Sequence, residues 1–150
     1  MRIVLQRVKQ ASVTVSGEVV AEIGKGFLVL LGIEAEDTVE DSKWLCGKIA
    51  KLRVFSDENG AMNNSIQDVD GDIIVVSQFT LHASTKKGNR PSFIKAARPD
   101  QAMTLYKQFV TLLEQELNKK VGTGVFGAMM DVALVNDGPV TITIDSKSKE

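Results

Sequence analysis

The chain has 150 residues, of which 43% are hydrophobic and 25% are charged, with a formal net charge of −1. These values predict a single globular domain over residues 1–150 and argue against disordered, collagen-like and membrane-spanning chains. A net charge close to zero also argues against a protein whose whole surface is basic enough to hold nucleic acid, so any RNA contact has to come from a local patch.

The first part of the chain consists of short apolar segments separated by turn residues. Ser16-Gly17 and Gly24-Lys25-Gly26 are turn sequences, and the segments beside them are rich in Val, Ile and Leu. This pattern predicts consecutive strands of a meander at residues 2–8, 12–16, 19–23 and 27–33. The opening residues lack a secretion signal, and no apolar run reaches about 18 residues, so we expect a cytoplasmic protein that does not enter the membrane.

Two segments have helical spacing. Thr38 and Asp41 form the pattern of a capping box, which predicts a helix over 38–51. Pro99 is suited to the first position of a second helix, with Asp100 beside it. The apolar face of this second helix comprises Ala102, Leu105, Tyr106, Phe109, Leu112, Leu113 and Leu117.

The remaining apolar segments predict further strands. One is short, at 52–55, and another begins with the uninterrupted apolar run 73–76, which is typical of a strand buried on both faces and continues into residues 77–80. Two final strands, Val132–Val135 and Val140–Ile144, are predicted on either side of a turn, and the polar tail 146–150 is expected to fray. The fold class is therefore α+β: a strongly bent or barrel-like antiparallel sheet with two main helices.

The inventory of reactive side chains is small. Cys46, the only cysteine, lies in the helical pattern beside Trp44 and Leu45, where a buried apolar role is favoured. His82 is the only histidine, and a solvent-exposed or hydrogen-bonded structural role is favoured over catalysis. One cysteine and one histidine do not provide a zinc site, so no metal and no cofactor is expected.

Two segments could nevertheless contribute to a site. In Ser77-Gln78-Phe79-Thr80, strand geometry would place the Gln78 amide and the Thr80 hydroxyl side by side, either as the polar exit of a strand or as an oxyanion pocket. Gly138-Pro139 favours a turn, but a cis bond there would present two carbonyls as a rigid acceptor pair for an ammonium group.

A basic stretch follows the first of these segments. Between His82 and Pro99 the chain has no acidic residue. A polar loop is the simpler interpretation, although cations along one loop would also suit a phosphate backbone. The basic residues are Lys86, Lys87, Arg90, Lys95 and Arg98.

Several segments in the same order resemble the D-aminoacyl-tRNA deacylases over essentially the whole chain. They are LQRV, ASVTVSGE, GFLVLLGIE, VVSQFTL, RPSF and VNDGPVT. The resemblance implies a homodimer with active sites at the interface, and tRNA as partner, without DNA. It implies that the ester of D-aminoacyl-tRNA is hydrolysed, and also that of glycine mischarged on the alanine tRNA.

The resemblance also implies the site residues. Ser77, Gln78, Phe79 and Thr80 would line the pocket, and a cis Gly138-Pro139 pair would reach in from the partner subunit to exclude L-amino acids. Arg7 resembles the arginine that braces this pair, and the walls would include Phe126 and Met129. Two alternatives stay open: a less specific aminoacyl-ester hydrolase, and a non-catalytic RNA-binding homodimer.

Overall fold

A computed structural model describes residues 1–150. The chain forms a curved sheet that is nearly closed into a barrel, with two helices packed against it. The helices are α1 (Val39–Lys51) and α2 (Pro99–Leu117), and a 3-10 turn covers Phe79–His82. The strands are β1 (Arg2–Val15), β2 (Glu18–Ile23), β3 (Gly26–Gly32), β4 (Phe55–Ser56), β5 (Met62–Asn64), β6 (Asp72–Ser77), β7 (Gly122–Thr123) and β8 (Asp131–Asp145).

The long strand β1 organises the sheet, and it joins two segments that the sequence predicts as separate strands. Along one edge, its first half pairs with β3 and its second half with β2; along the other edge it pairs with β8. All three pairings are antiparallel. Because β1 bends between two partners on one edge, β2 comes to pack against β6 and β7, which curls the sheet toward closure.

The predicted fold class, a barrel-like sheet with two main helices, is confirmed, although the sheet is mixed and not antiparallel throughout. Strand β6 lies parallel to both β3 and β7. Parallel neighbours need a long crossover, which here includes α1 and the β4–β5 hairpin. The expected strand at 52–55 is displaced, since β4 covers only Phe55–Ser56. With neighbours on both sides, β6 is buried from Ile73 to Val76, as its apolar run predicts.

Both helices begin where their capping signals predict. The Thr38 side chain accepts a hydrogen bond from the Glu40 backbone N–H, and the Asp41 carboxylate accepts one from the Thr38 N–H. Pro99 is the first residue of α2, whose apolar face packs on α1 and the sheet. Cys46 is buried in this core, which confirms its apolar role, and burial raises the pKa of its thiol to about 12. No helix is both long and apolar enough to span a bilayer.

The end of the chain is more ordered than predicted. Ser146 is buried, and its hydroxyl accepts a hydrogen bond from the Met1 ammonium group and donates one to Asp41. The Met1 ammonium group is also paired with the buried carboxylate of Asp37. The tail therefore begins as a tether between the chain ends, and the expectation that it frays from residue 146 is wrong.

The sequence also predicts two final strands around a turn, but residues 131–145 form the single strand β8. On β1, Val8 pairs with Asn136 and Gln6 with Thr141, so residues 137–140 bulge out opposite one residue, Arg7. The chain does not reverse direction there. Pairing with β1 on both sides of the bulge overrides the local turn preference of the Asn-Asp-Gly-Pro sequence.

Candidate active site

A cavity of about 630 Å³ opens where β6 ends. Its walls come from the end of β6, the loop before α2, the first turn of α2 and the segment that leads into β8. Most of the lining side chains are apolar, and polar groups are concentrated at the strand end. The lining residues are Ile33, Val76, Ser77, Gln78, Phe79, Phe93, Ala96, Ala97, Pro99, Ala102, Phe126, Gly127, Ala128, Met129, Met130 and Val132.

Five of the residues predicted from the sequence line this cavity: Ser77, Gln78, Phe79, Phe126 and Met129. Thr80 is not part of the wall, but its hydroxyl accepts a short hydrogen bond from the Gln78 amide. An amide and a hydroxyl therefore lie together at the strand end, although the backbone that brings them together differs from the predicted one.

The predicted strand geometry fails after Ser77, because the backbone turns into the 3-10 turn Phe79–His82. The Gln78 backbone N–H donates to the Leu31 carbonyl at 2.8 Å and fixes the start of this turn on β3. The first N–H groups of a helical turn have no partner inside it. The N–H groups of Phe79 and Thr80 therefore have no partner within the turn, and since Phe79 belongs to the cavity wall, they are candidate donors to an oxyanion.

The turn packs on β3 only because residue 32 is glycine. A Cβ atom at Gly32 would lie 2.9 Å from Leu81 Cβ and 3.1 Å from the Gln78 carbonyl oxygen. The first contact is shorter than Cβ atoms tolerate and the second is tight, so a larger residue would require the turn to shift away from the sheet. Gly32 is a positioning residue that the sequence reasoning missed, and its signal was a glycine that interrupts an apolar run.

Aromatic and methionine side chains form an exposed apolar rim. The rings of Phe79 and Phe93 meet edge to face, with centroids 5.1 Å apart. Phe79 is 54% exposed and Met129 is 92% exposed, which is unusual for large apolar side chains in a free monomer. Phe93 was also missed, although it belongs to the quoted RPSF segment. The rim is suited to contact a substrate or another chain.

The other predicted site segment, Gly138-Pro139, lies outside the cavity. The Gly138-Pro139 peptide bond is cis, as predicted, and both residues are exposed at the crest of the bulge in β8. Neither residue lines the cavity. Gly138 has a φ of +137°, a conformation that side chains rarely adopt. A Cβ atom there would lie 2.9 Å from Val140 Cγ2 and 3.2 Å from a guanidinium nitrogen of Arg7.

Arg7 and Asn136 hold this bulge in one shape. The mostly buried Arg7 guanidinium donates to the Asp137 carbonyl at 3.0 Å and to the Val54 carbonyl. The Asn136 side chain accepts from the Val140 N–H at 2.7 Å and donates to the Val140 carbonyl at 3.2 Å. Arg7 thus contacts the segment that the resemblance predicts it to brace, whereas Asn136 was missed.

Within one chain, the cavity and the Gly138-Pro139 pair are far apart. On β1, Arg7 lies opposite the bulge and Val13 lies opposite Val132 of the cavity wall. Six residues of strand separate those two positions, or about 20 Å at about 3.3 Å per residue. A single chain therefore does not bring Gly138 and Pro139 to its own cavity.

His82 is buried, so of the two roles favoured over catalysis the structural one applies and the solvent-exposed one does not. Its side chain is 2% exposed, and Nδ1 lies 3.4 Å from a carboxylate oxygen of Glu34. Nε2 is buried without a hydrogen-bond partner. The ring packs behind the 3-10 turn and does not line the cavity, so it is not placed to act on a substrate there. No three His, Cys, Asp or Glu side chains are arranged to hold a metal ion.

Comparisons with known proteins agree over the whole chain. A family model described as D-Tyr-tRNA(Tyr) deacylase matches residues 4–145. A D-aminoacyl-tRNA deacylase of Flavobacterium johnsoniae is 67% identical over 100% of both chains, and one of Bacteroides thetaiotaomicron is 59% identical over 100% of both.

Two solved structures share the fold. One is the c-Myc DNA Unwinding Element Binding Protein, with a TM-score of 0.91 and 44% identity over 97% of this chain and 98% of that one. The other, described as "a probable eukaryotic D-amino acid tRNA deacylase", has a TM-score of 0.81 and 18% identity over 95% of this chain and 97% of that one. At that identity the second likeness speaks for the fold alone.

Proposed function

The chain belongs to the D-Tyr-tRNA(Tyr) deacylase family and is a hydrolase, and we propose that its cavity hydrolyses the ester of D-aminoacyl-tRNA to free tRNA and a D-amino acid. The observation that carries the proposal is the Ser77–Thr80 segment, which ends a buried strand at the cavity of a chain with full-length deacylase relatives. Its place of action would be the cytoplasm, where aminoacyl-tRNA is used.

Hydrolysis of this ester would require little acid–base catalysis by titratable side chains. An aminoacyl ester is already activated, so its hydrolysis depends on a positioned water and on donors for the oxyanion. The backbone N–H groups of Phe79 and Thr80 and the Thr80 hydroxyl would serve as these donors. The Gln78 amide donates to that hydroxyl, so the hydroxyl's own proton stays free for another acceptor. We assign Thr80 a hydrogen-bonding role, since no side chain near it is placed to deprotonate it.

The complete site would need two subunits. Gly138 and Pro139 are exposed and about 20 Å along the sheet from the cavity of their own chain. In a two-fold dimer, each subunit would insert its bulge into the cavity of the other, and both sites would be equivalent. The exposed apolar rim at Phe79 and Met129 supports a contact surface at this place.

The bulge would then act as the chiral filter. The carbonyls of Gly138 and Pro139 would accept hydrogen bonds from the substrate's α-ammonium group, which fixes the direction of its side chain. An L side chain would collide with the dipeptide, whereas a D side chain would point away from it. Glycine has no side chain to exclude, so glycine mischarged on the alanine tRNA would also be hydrolysed.

The first test compares D-tyrosyl-tRNA with L-tyrosyl-tRNA in the presence of a metal chelator. We expect rapid release of D-tyrosine and almost none of L-tyrosine. Equal rates would instead support a less specific aminoacyl-ester hydrolase, and no release of either would support an RNA-binding homodimer.

Variants at the strand end separate catalysis from binding. Gln78→Ala and Thr80→Ala should each lower kcat by about 100-fold, the typical effect of removing one oxyanion donor or its support. Their affinity for uncharged tRNA should stay within twofold of the parent protein, because neither side chain is positioned to contact the RNA backbone. A loss of tRNA affinity equal to the loss of turnover would count against a catalytic role.

Mixing two inactive variants tests the shared site. Gly138→Ala should displace the bulge because of the close contacts with Val140 and Arg7, and so lower activity on the D-ester. In a re-equilibrated mixture with Thr80→Ala, half of the dimers are mixed, and each of these has one intact site. About one quarter of the parent activity should return. No recovery, in a mixture proved to contain mixed dimers, would place each site within one subunit.

A further inference from the structure

The basic loop, residues 86–98, is a strongly charged surface that the proposed reaction does not use. It contains five basic residues and no acidic one, and all five are exposed. None of them pairs with a carboxylate of the chain, whereas Lys43, Lys119, Lys120 and Lys147 all do. The loop therefore presents five uncompensated cations on a chain whose net charge is −1.

The base of the loop is fixed to the cavity. Ser84 and Ser92 exchange two backbone hydrogen bonds, of 2.8 and 2.9 Å. The next residue, Phe93, packs on Phe79 in the cavity wall, and the Ala97 N–H donates to the Ile33 carbonyl at 2.9 Å. The cations are therefore presented beside the cavity opening by a loop whose two ends are both anchored.

The tip of the loop projects away from this anchored base. Residues 85–91 are all exposed, and the chain turns at Gly88, whose φ is +73°. From Ser84 to the turn are four residues, so the tip reaches up to about 14 Å from the base at about 3.4 Å per residue. Lys86, Lys87 and Arg90 occupy this tip, and Lys95 and Arg98 lie on the return toward α2.

We propose that the loop tip binds the phosphates of the acceptor arm of the tRNA whose 3′ ester lies in the cavity. The inference rests on the proposed function, because the ester fixes where the attached RNA leaves the cavity. The phosphates of the RNA next to the cavity opening would meet a stretch that carries several cations and no acidic residue. Each phosphate contact releases counterions, so the affinity should be sensitive to salt and insensitive to base sequence.

The test uses the full chain with its three tip cations removed, as K86Q/K87Q/R90Q. The control is K48Q/K51Q/K107Q, which removes the same charge from exposed positions on α1 and α2 that do not line the cavity. The first readout is equilibrium binding of uncharged tRNA at salt concentrations between about 50 and 200 mM, a range over which phosphate contacts respond strongly. The second is the rate of hydrolysis of D-tyrosyl-tRNA compared with that of D-tyrosyl-adenosine.

We expect the tip variant to bind tRNA about 10- to 100-fold more weakly at low salt, and its log–log salt slope to fall by about 2 to 3, for three lost phosphate contacts. Its KM should rise for D-tyrosyl-tRNA and not for D-tyrosyl-adenosine, which has no phosphates. The proposal is overturned if the tip variant loses no more affinity than the control, or if both esters are affected equally.

The two proposals can fail separately. If the parent protein hydrolyses neither D-ester, the deacylase proposal fails, and the salt slope with uncharged tRNA still decides whether the tip binds RNA. If the deacylase works and the slope is the same in the tip variant, the loop does not hold the acceptor arm, and an acidic protein would be the next partner to test.

Discussion

Replacing Arg7 by methionine should destabilise the protein through the bulge in β8. Methionine keeps an apolar stem of similar length, so the change removes mainly the hydrogen bonds. The guanidinium donates to the carbonyls of Val54 and Asp137, and Val54 is 7% exposed. A buried acceptor left without a donor costs about 1–3 kcal/mol, and the less buried Asp137 carbonyl, which water can reach, about 0.5–1.5 kcal/mol. The sum is about 1.5–4.5 kcal/mol.

Urea unfolding at a fixed protein concentration measures this difference, and the m-value shows whether the transition itself has changed. Arg53 provides a matched control, because it also donates to a carbonyl, that of Asn63 at 2.9 Å, but on the protein surface. Water can replace that bond, so Arg53→Met should change stability by about 0.5 kcal/mol or less.

The same variant should weaken the proposed chiral filter. With Arg7 gone, the bulge loses the side chain that binds the Asp137 carbonyl, so Gly138 and Pro139 should move and the preference for D- over L-tyrosyl-tRNA should fall. An Arg7→Met protein that loses less than about 1 kcal/mol, or no more than Arg53→Met, would refute the reasoning about buried acceptors.

Three further outcomes follow from individual contacts. Tyr106→Phe removes a buried 2.6 Å hydrogen bond to the Val75 carbonyl, so it should lower the free energy of unfolding by about 1–3 kcal/mol. Urea unfolding measures this loss, and an unchanged unfolding midpoint would contradict it. Because burial raises the pKa of the Cys46 thiol to about 12, a thiol reagent at pH 8 should label the native protein only as fast as it unfolds, and rapid labelling would show that the site is open. Burial of Asp41 is the largest single effect and opposes its charge, but the hydrogen bonds from Ser146 and the Thr38 N–H, together with the charges of Lys147 and the Met1 ammonium group, outweigh it, so the pKa lies below the ordinary 3.8. Its contribution to stability is therefore complete above that value and is lost as the pH falls below it, so Asp41→Asn should flatten the acid limb of the stability curve.

The helices were predictable because their signals are local. The capping box at Thr38 and the proline at position 99 act on neighbouring backbone groups, and no distant contact opposes them. The cavity residue Gln78 was also indicated by its place after a buried apolar run, whereas Ser77 and Phe79 were predicted through the family resemblance.

The errors in the sheet involve pairing between distant segments. The parallel position of β6 between β3 and β7 depends on a crossover that no short window contains. The Asn136–Pro139 sequence has the local preferences of a turn, yet β1 pairs with the chain on both sides of it. Gly32 and Asn136 were missed for the same reason, since each acts through a contact that exists only in the folded chain.

The position of the bulge in β8 depends on the register of the whole sheet. Pairing of β1 with β8 on both sides of residues 137–140 prevents the extra residues from moving along the strand. The same pairing sets Val132 at the cavity wall, so one register fixes both the cavity and the distance of the Gly138-Pro139 pair from it. Under the proposed function, this exposed pair would act only in the cavity of a second copy, so the active unit would be a dimer.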